Sequence, residues 1–477
     1  MAGLTRRKLL LEGAVLTGAC ALVSGPKAMT LPAPSISAPL AESEAKGVYV
    51  FDVAGQGYTV QEVFMSGVAD IYPSVDMADA ADTNARDTRA DLGRRSFDLA
   101  TVQAAQPYVT RLILYRPIDP QRFSGNVVIE SMHPEQGGVG TVWGPMNAVF
   151  LRRGDAYVLV QHPVTIAGLR DYKPERYGSL ASIHPTQIWG MLRDAGLAAK
   201  TGRLFPGLTP RRTYMTGYSW TGVATATFAN FHHDRARLAD GRPLYDGYLP
   251  MANATYVRPL DVPVLRMNTQ SDFDSFGGVN NRLADSDEPS GRRRLYEVTG
   301  AAHVRSSFAL PGSASPLSAP GTPPTPKGQP SFNAKACFDA FPASSKMNNM
   351  PFVLAAAAMF INMSAWVDDG RAAPHTDWIE TTADGAAATD SDGNALGGLR
   401  LPQMRVAAAR YGVGREACLL FGYTQDFTAE RMRELYGDKA AYLARFGAAT
   451  SAMVAERLIL AEDAPLLLAE AAARPAF

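Results

Sequence analysis

The sequence predicts an α/β fold in which helices cover both faces of a mostly parallel sheet. Hydrophobic residues make up 46% of the 477 residues, which is enough to bury a large core. Through the middle of the chain, compact β-branched runs alternate with helical patterns, as they do in parallel sheets built from β-α-β units. The strand-like runs cover residues 126–130, 156–160, 212–216, 246–250, 262–267 and 294–298.

Residues 1–28 have the character of an export signal. The pair Arg6-Arg7 stands before a mostly small and apolar run over residues 13–23. An adjacent arginine pair of this kind resembles a twin-arginine signal. A membrane anchor is the alternative, but Glu12 precedes a run that is shorter than the ~20 apolar residues needed to span a bilayer. We therefore expect the export machinery as a partner, a periplasmic or secreted location, and no stable membrane insertion.

Changes in composition divide the rest of the chain. Residues 29–46 are rich in Pro, Ala and Ser, and they predict a linker between the signal and a single domain over 47–477. Within that domain, short apolar runs predict a β-rich extension over 47–118. The stretch 311–330 is rich in Pro, Ser and Gly and predicts a surface loop or partial lid, and a C-terminal extension is expected over 375–477.

Charge balance and residue spacing argue against several kinds of site. The 46 basic and 46 acidic residues cancel, so the chain has no electrostatic footprint for nucleic acid. There is no CxxC pair and the histidines are scattered, so we expect no metal and no cofactor. Cys20 lies in the signal, whereas Cys337 and Cys418 could pair in an oxidising compartment, although nothing in the sequence shows that they do.

The segment 217–222, which reads Gly-Tyr-Ser-Trp-Thr-Gly, predicts a tight turn that presents a nucleophile. It follows a strand pattern and precedes a run of small and apolar residues over 223–231, which suits a helix packed on a sheet. Ser219 would then project above the sheet near the positive end of that helix. Thr221 stands where such turns usually have Gly, but it is small. Taken alone the motif is weak, because an ordinary turn with a serine cap has the same composition.

The order of later residues strengthens this interpretation. In hydrolases with such a turn, the acid follows a later strand and the histidine follows the last one. Asp272 lies in the loop after one of the buried strand patterns, with Asp274 as the second choice. His303 follows the last strand pattern and a turn of small residues. His375 also lies beyond the acid, but it follows a long helix, so His303 is favoured.

These residue types suit the hydrolysis of an ester by a catalytic triad. Ser219 is a weak nucleophile at its ordinary pKa, and His303 would take its proton and later donate it to the leaving alcohol. Asp272 would fix the tautomer of His303 and stabilise the imidazolium.

An oxyanion would need two backbone N–H donors. One is expected from Trp220, the residue after the nucleophile. The other is expected from the loop after the 126–130 strand, where Pro134 has no N–H to give, which leaves Met132 or His133.

Several blocks of the chain resemble the bacterial α/β hydrolase domain proteins, whose turn typically reads G-[YF]-S-Q-[ST]-G. The resemblance runs from residue 47 to about residue 473. It implies an α/β-hydrolase fold, with a mostly parallel central sheet, helices on both faces, insertions and a C-terminal extension, and an ester-hydrolysing triad. The matching blocks are 122–130, 217–222, 246–248, 268–272, 300–303, 366–370 and 392–402.

Two positions near the expected reacting centre depart from the family pattern. Trp220 replaces the usual Gln, and His133 stands where that loop commonly has Asn. Both changes would reshape the pocket for the acyl group, and Trp143 and Tyr218 are further candidate pocket residues.

The function expected from these observations is that of an exported carboxylic-ester hydrolase that forms an acyl-enzyme with a small or medium, mostly neutral ester. A second hypothesis keeps the triad but passes the acyl group to an alcohol or amine. A third is an exported binding protein on a hydrolase scaffold, since a fold does not imply a function.

Overall fold

The computed structural model describes residues 33–40, 53–73, 100–134, 140–253, 255–275, 281–304, 337, 339–414 and 418–477. The expected export signal over 1–28 and the Pro-rich stretch over 311–330 lie outside the described residues. Within the described ranges, no helix combines the length and the apolar character needed to span a membrane.

A nine-stranded sheet forms the centre of the described chain, in the order β1-β2-β3-β5-β4-β6-β7-β8-β9. Strands β4 to β9 pair in parallel, whereas β1, β2 and β3 pair antiparallel and β3 joins the parallel part antiparallel to β5. The strands are β1 (Ser35–Ile36), β2 (Tyr58–Ile71), β3 (Gln103–Pro117), β4 (Asn126–Ser131), β5 (Ala156–Val160), β6 (Arg212–Tyr218), β7 (Gly247–Met251), β8 (Val264–Thr269) and β9 (Arg293–Val298).

Strand β1 lies inside residues 29–46, which were predicted to be a linker. That prediction is corrected, because this segment forms the edge strand of the sheet. Ser35 pairs with Ser66 of β2, and Arg203 donates a hydrogen bond to the Pro34 carbonyl at 2.6 Å. A Pro- and Ser-rich segment can pair here because the long β2 supplies the ladder at the edge of the sheet, where proline is tolerated.

Helices cover both faces of the sheet, as predicted. The helices are α1 (Trp143–Arg153), α2 (Ile166–Tyr172), α3 (Pro174–Tyr177), α4 (Ile188–Lys200), α5 (Trp220–Phe231), α6 (Gln270–Ser275), α7 (Phe352–Asp368), α8 (Pro402–Arg405), α9 (Ala429–Tyr436), α10 (Lys439–Ala455) and α11 (Ala464–Ala472). Buried side chains of α1 and α7 form a core with one face of the sheet. Buried side chains of α4 and α5 form a second core with the opposite face. The central strands β4, β5, β7 and β8 are buried along their whole length, as expected for parallel strands covered on both sides.

The C-terminal part packs on the face that carries α1 and α7. It contains a small sheet in the order β10-β12-β11, made of β10 (Lys346–Met347), β11 (Ala409–Val413) and β12 (Gly422–Asp426). Apolar residues of α9, α10 and α11 join the same core as α1. An ion pair between Arg152 and the buried Asp463, 2.7 Å from Nη1 to Oδ1, fastens α1 to the segment before α11.

The order of the strands places a crevice at the carboxyl ends of β4 and β6. The chain leaves β4 towards β5 but leaves β6 towards β7, so the two connections diverge. Where neighbouring parallel strands diverge in this way, their carboxyl ends open onto a crevice. The described residues that directly follow β4 and β6 lie at these carboxyl ends.

Candidate active site

Ser219 occupies a strained turn between β6 and α5. Its φ is +59° and its ψ is −126°, in a region that residues with a side chain rarely adopt. The turn is so tight that a Cβ on Gly217 would lie 2.1 Å from the Thr221 carbonyl oxygen, and one on Gly222 would lie 2.3 Å from the Met251 carbonyl oxygen. Glycine is therefore required at both positions for steric reasons.

Thr221 fits this turn because its hydroxyl has local partners. Thr221 is fully buried, and its Oγ1 accepts a hydrogen bond from the Tyr218 N–H at 2.8 Å. The same oxygen lies 2.7 Å from the Thr141 hydroxyl. The threonine thus satisfies a backbone donor in the turn that a glycine would leave to another group.

The structure brings Ser219, His303 and Asp272 together in one chain of hydrogen bonds. His303 Nε2 lies 2.8 Å from Ser219 Oγ, and His303 Nδ1 lies 2.8 Å from Asp272 Oδ1. Because an ionised carboxylate only accepts, Nδ1 carries the proton and Nε2 is left to accept from the serine. Asp272 is completely buried, and its Oδ2 accepts from the backbone N–H and the hydroxyl of Thr269, each at 2.7 Å.

The two second-choice residues are not part of this arrangement. His375 is exposed, and its Nδ1 lies 2.9 Å from Asp285 Oδ2. The side chain of Asp274 lies outside the described residues.

Three contacts hold the loop that carries His303. The Tyr218 hydroxyl donates to the His303 carbonyl oxygen at 2.5 Å. The buried amide of Asn348 donates to the Gly300 carbonyl oxygen at 2.9 Å, and the Val304 N–H donates to the Leu420 carbonyl oxygen at 2.7 Å. Asn348 was not predicted from the sequence, because no local pattern relates it to a loop almost fifty residues earlier.

A disulfide between Cys337 and Cys418 lies close to this loop, and it answers the question that the sequence left open. Cys418 is two residues from Leu420, the acceptor of the Val304 N–H. The cross-link therefore fixes a segment that contacts the chain directly after His303.

The residues predicted as oxyanion donors are Trp220, which directly follows Ser219, and Met132 or His133, which follow β4. Trp220 is the first residue of α5, so its N–H has no acceptor within the helix. The Met132 N–H donates to the Val160 carbonyl oxygen at 2.8 Å, which occupies it in the sheet. Of the two candidates in the loop after β4, this leaves His133, whose ring centroid lies 6.2 Å from that of Trp220.

Two imidazoles beside Trp220 are held uncharged. Burial, together with the charge that His303 can carry, lowers the pKa of His133 to about 4. Burial, together with His133, lowers the pKa of His162 to about 3, and the His162 ring meets Trp220 edge-on at 4.8 Å between centroids. His162 was missed in the sequence because it follows β5 without a recognisable motif.

The prediction that Trp143 lines a pocket is corrected. Its side chain is completely buried, stacks on Tyr115 with ring centroids 3.9 Å apart and packs against Phe150 and Tyr157. Trp143 therefore forms core beneath the site. Tyr218 is also largely buried, and its ring stacks on Phe352 with centroids 5.7 Å apart while its hydroxyl serves the His303 loop.

A buried carboxylate lies beneath the turn. Glu130, in β4, is completely buried, and burial raises the pKa of its carboxyl above the ordinary value. It accepts hydrogen bonds from the hydroxyls of Thr141 and Tyr157 at 2.8 and 2.7 Å, and from the N–H groups of Val142 and Trp143 at 2.8 and 3.1 Å. Glu130 thus joins the end of β4 to the start of α1.

In the described part of the chain, no cluster of His, Cys, Asp and Glu is suited to hold a metal ion.

Comparison with known proteins gives a family match over most of the chain. The model of the family described as "Alpha/beta hydrolase domain" matches residues 23–469. No curated protein matches the chain.

Three solved structures are among those that match part of the chain. MGS-M1, an alpha/beta hydrolase enzyme from a Medee basin deep-sea metagenome library, is 13% identical, with a TM-score of 0.24, over 34% of this chain and 64% of its own. The rice cell wall degrading esterase LipA from Xanthomonas oryzae is 10% identical, with a TM-score of 0.27, over 48% of this chain and 51% of its own. A cold-adapted esterase from an Arctic intertidal metagenomic library is 11% identical, with a TM-score of 0.25, over 50% of this chain and 84% of its own. The match spans less than two thirds of the first two proteins.

Proposed function

The chain belongs to the alpha/beta hydrolase domain family, and we propose that it is a serine hydrolase that cleaves carboxylic esters with Ser219, His303 and Asp272 as its triad. The observation that carries this proposal is the continuous hydrogen-bond chain from Ser219 Oγ through the imidazole to Asp272. The strained turn around Ser219 supports it, because backbone strain of this kind is retained where a side chain must be presented at one exact angle for chemistry.

The reaction would proceed in two halves. Ser219 Oγ attacks the ester carbonyl carbon while its proton passes to His303 Nε2, and the carbonyl oxygen becomes an oxyanion. The bond to the leaving oxygen then breaks, and the proton on Nε2 passes to the departing alcohol. Water attacks the resulting acyl-enzyme with the same imidazole as base, which releases the acid and restores Ser219. Asp272 stabilises the imidazolium in both halves.

We assign the oxyanion donors to the N–H groups of Trp220 and His133. The first lies at the start of α5, where the helix dipole also favours negative charge. The second is favoured because the Met132 N–H is already bonded to Val160.

The neutral surroundings of Trp220 support a neutral ester as the substrate. Since His133 and His162 have pKa values of about 4 and 3, both rings are uncharged at neutral pH. They would offer hydrogen bonds without attracting an anionic acyl chain.

Export to the periplasm or beyond is part of the proposal. The arginine pair near the amino terminus supports it, and so does the disulfide between Cys337 and Cys418, because disulfides persist mainly in oxidising compartments.

The test is hydrolysis of a panel of p-nitrophenyl esters by the protein and by Ser219→Ala. A fluorophosphonate probe with mass spectrometry locates the nucleophile. We expect labelling at Ser219 and loss of turnover in the variant. Absence of both labelling and turnover would instead favour a binding protein on a hydrolase scaffold. Product analysis with an added alcohol separates hydrolysis from acyl transfer.

A further inference from the structure

Two consecutive residues at the end of β8 lie next to the turns that carry Asp272 and His303. Strand β8 ends at Thr269, and α6 begins at Gln270. Thr269 is in register with Val298, the last residue of β9, so the two turns leave neighbouring strands side by side. Both Thr269 and Gln270 are buried. Their side chains are therefore placed to hold the two turns in a fixed relation.

Thr269 and Asp272 form the reciprocal hydrogen bonds of a capping box at the start of α6. The Thr269 N–H donates to Asp272 Oδ2 at 2.7 Å, and the Asp272 N–H donates to Thr269 Oγ1 at 3.4 Å. Such a box satisfies backbone donors at the beginning of a helix. Here the same carboxylate also faces His303, with Oδ1 2.8 Å from Nδ1. The cap of α6 therefore sets the direction in which the Asp272 carboxylate points.

The Thr269 hydroxyl is a second donor to the same oxygen. It donates to Asp272 Oδ2 at 2.7 Å, so that oxygen accepts from two groups of one residue. Asp272 is completely buried, and an ionised group in such a place depends on its hydrogen bonds because water cannot replace them. With Oδ2 held in this way, Oδ1 is the oxygen that remains for the imidazole of His303.

Gln270 holds the turn that leads to His303. Its Oε1 accepts from the Gly300 N–H at 2.8 Å, while the Asn348 amide donates to the Gly300 carbonyl oxygen at 2.9 Å. Two buried side chains from different segments therefore fix both backbone polar groups of Gly300. The turn is also tight, since Gly300 has a φ of +76° and a Cβ there would lie 2.8 Å from Met404 Sδ.

We propose that Thr269 and Gln270 are positioning residues for the reaction, the first orienting Asp272 and the second holding the turn of His303. Because the two residues are consecutive, one short backbone segment sets the position of the acid relative to the base. A misplacement of about 1 Å in such an arrangement can lower a rate by about a hundredfold. This inference rests on the proposed function, since it assigns roles within the same triad.

The experiment removes each side-chain hydrogen bond while keeping the approximate shape of the side chain. Thr269→Val and Gln270→Met should each lower kcat for a p-nitrophenyl ester by about tenfold or more, with KM changed by less than about twofold. The rate of fluorophosphonate labelling at Ser219 should fall in parallel. Thr269→Ser keeps the hydroxyl and should stay close to the wild type. Each residue is tested separately, so one variant suffices if the other fails to fold.

Gln187→Met is the matched control for Gln270→Met. Gln187 is also buried, and its Oε1 accepts from the Ile183 N–H at 2.8 Å in the segment before α4. The control should lower Tm but leave kcat unchanged. An equal fall in kcat in the two variants would make the effect one of general stability and would overturn the role of Gln270.

A double variant tests whether Thr269 acts through the triad. Added to His303→Gln, Thr269→Val should lower kcat/KM no further, because residues that act as one unit have non-additive effects. A full additional loss would overturn the role of Thr269. Wild-type turnover with an unchanged kcat in Thr269→Val and Gln270→Met would overturn this inference alone. Absence of labelling and turnover in the wild type would overturn the proposed function together with it.

Discussion

The hydroxyls of Thr141 and Thr221 lie 2.7 Å apart beneath the turn that presents Ser219. Thr141 also lies 2.8 Å from Glu130 Oε1, and Thr221 accepts from the Tyr218 N–H. Because two backbone N–H groups donate to Glu130, the Thr141 hydroxyl donates to it as well. The Thr221 hydroxyl then donates to Thr141 or to the Tyr218 carbonyl oxygen, which lies 3.0 Å away. A relay of buried hydrogen bonds therefore connects β4 and α1 to the residue before the nucleophile.

Removing the Thr221 hydroxyl should weaken both the fold and the site. In Thr221→Val the shape is kept but the Tyr218 N–H loses its acceptor, which costs about 1–3 kcal/mol of the free energy of unfolding. A shifted Ser219 should lower kcat for a p-nitrophenyl ester by about tenfold to a hundredfold. Urea unfolding and steady-state kinetics measure the two effects.

Thr221→Ser is the matched control, because it keeps the hydroxyl. We expect it to stay close to the wild type in both measurements. A loss in Thr221→Ser as large as the loss in Thr221→Val would contradict the prediction, because the serine variant keeps the hydroxyl that accepts from the Tyr218 N–H.

The Tyr218 hydroxyl should act on the reaction through the His303 loop. Tyr218→Phe removes the donor to the His303 carbonyl oxygen but keeps the ring that stacks on Phe352. We expect kcat to fall by about tenfold with little change in KM, because a displaced imidazole affects the transition state more than substrate binding.

Tyr245→Phe provides the matched control for this variant. Tyr245 is also buried and donates to a backbone carbonyl, that of Leu192 at 2.6 Å, in the core around α4. Tyr245→Phe should lower the free energy of unfolding by about 1 kcal/mol, the same loss that we expect for Tyr218→Phe. Its kcat should not fall. A similar fall in kcat for both variants would make the effect one of general stability.

The candidate triad could be predicted from the sequence because each of its members follows a strand with a local signature. Ser219 has glycines at fixed offsets, and Asp272 and His303 follow buried apolar runs. The parallel sheet then brings the carboxyl ends of these strands together, so the position of His303 directly after a strand pattern was sufficient to choose it over His375.

The remaining features depend on contacts between distant segments. Composition could not show that Trp143 is buried under Tyr115, or that Asn348 supports the turn before His303. The linker prediction for residues 29–46 was wrong for the same reason. The two-residue edge strand β1 is stabilised by pairing with β2 and not by its own sequence.

Replacement of the two histidines that follow the acid should separate their roles. His303→Gln should lower kcat/KM by at least about 10³-fold, since it removes the base that contacts Ser219 Oγ. His375→Gln should leave kcat/KM unchanged, because His375 is exposed and pairs with Asp285. Kinetics on one ester and the rate of fluorophosphonate labelling measure both. Retained activity in His303→Gln would exclude it as the base.

Loss of the disulfide should reduce stability. Cys337 and Cys418 are 81 residues apart in the sequence, and closing a loop of that size stabilises a fold by about 2–5 kcal/mol. Reductant should lower Tm, and activity should fall as the contact between Val304 and Leu420 loosens. The double variant Cys337→Ser, Cys418→Ser should start at the lower Tm and show no response to reductant. A response to reductant in that variant would point to another cause.

Buried histidines should make the fold sensitive to acid. Burial, with Arg235 and Arg193 nearby, lowers the pKa of His232 to about 3 from its ordinary 6.5. Between these values the unfolded chain binds a proton that the native chain does not, so stability is greatest above pH 6.5 and falls as the pH falls. For His232 alone the loss from pH 7 to pH 5 is about 2 kcal/mol.

His232→Phe isolates this contribution. The ring stacks on Trp189 and its buried Nε2 has no partner in the described chain, so phenylalanine keeps the packing and removes an unsatisfied polar atom. At pH 7 the variant should therefore be at least as stable as the wild type. At pH 5 it should be more stable by about 2 kcal/mol, because its unfolded state no longer gains the proton. Urea unfolding at both pH values measures the difference, and equal stability losses in the two proteins would show that His232 is protonated in the native state.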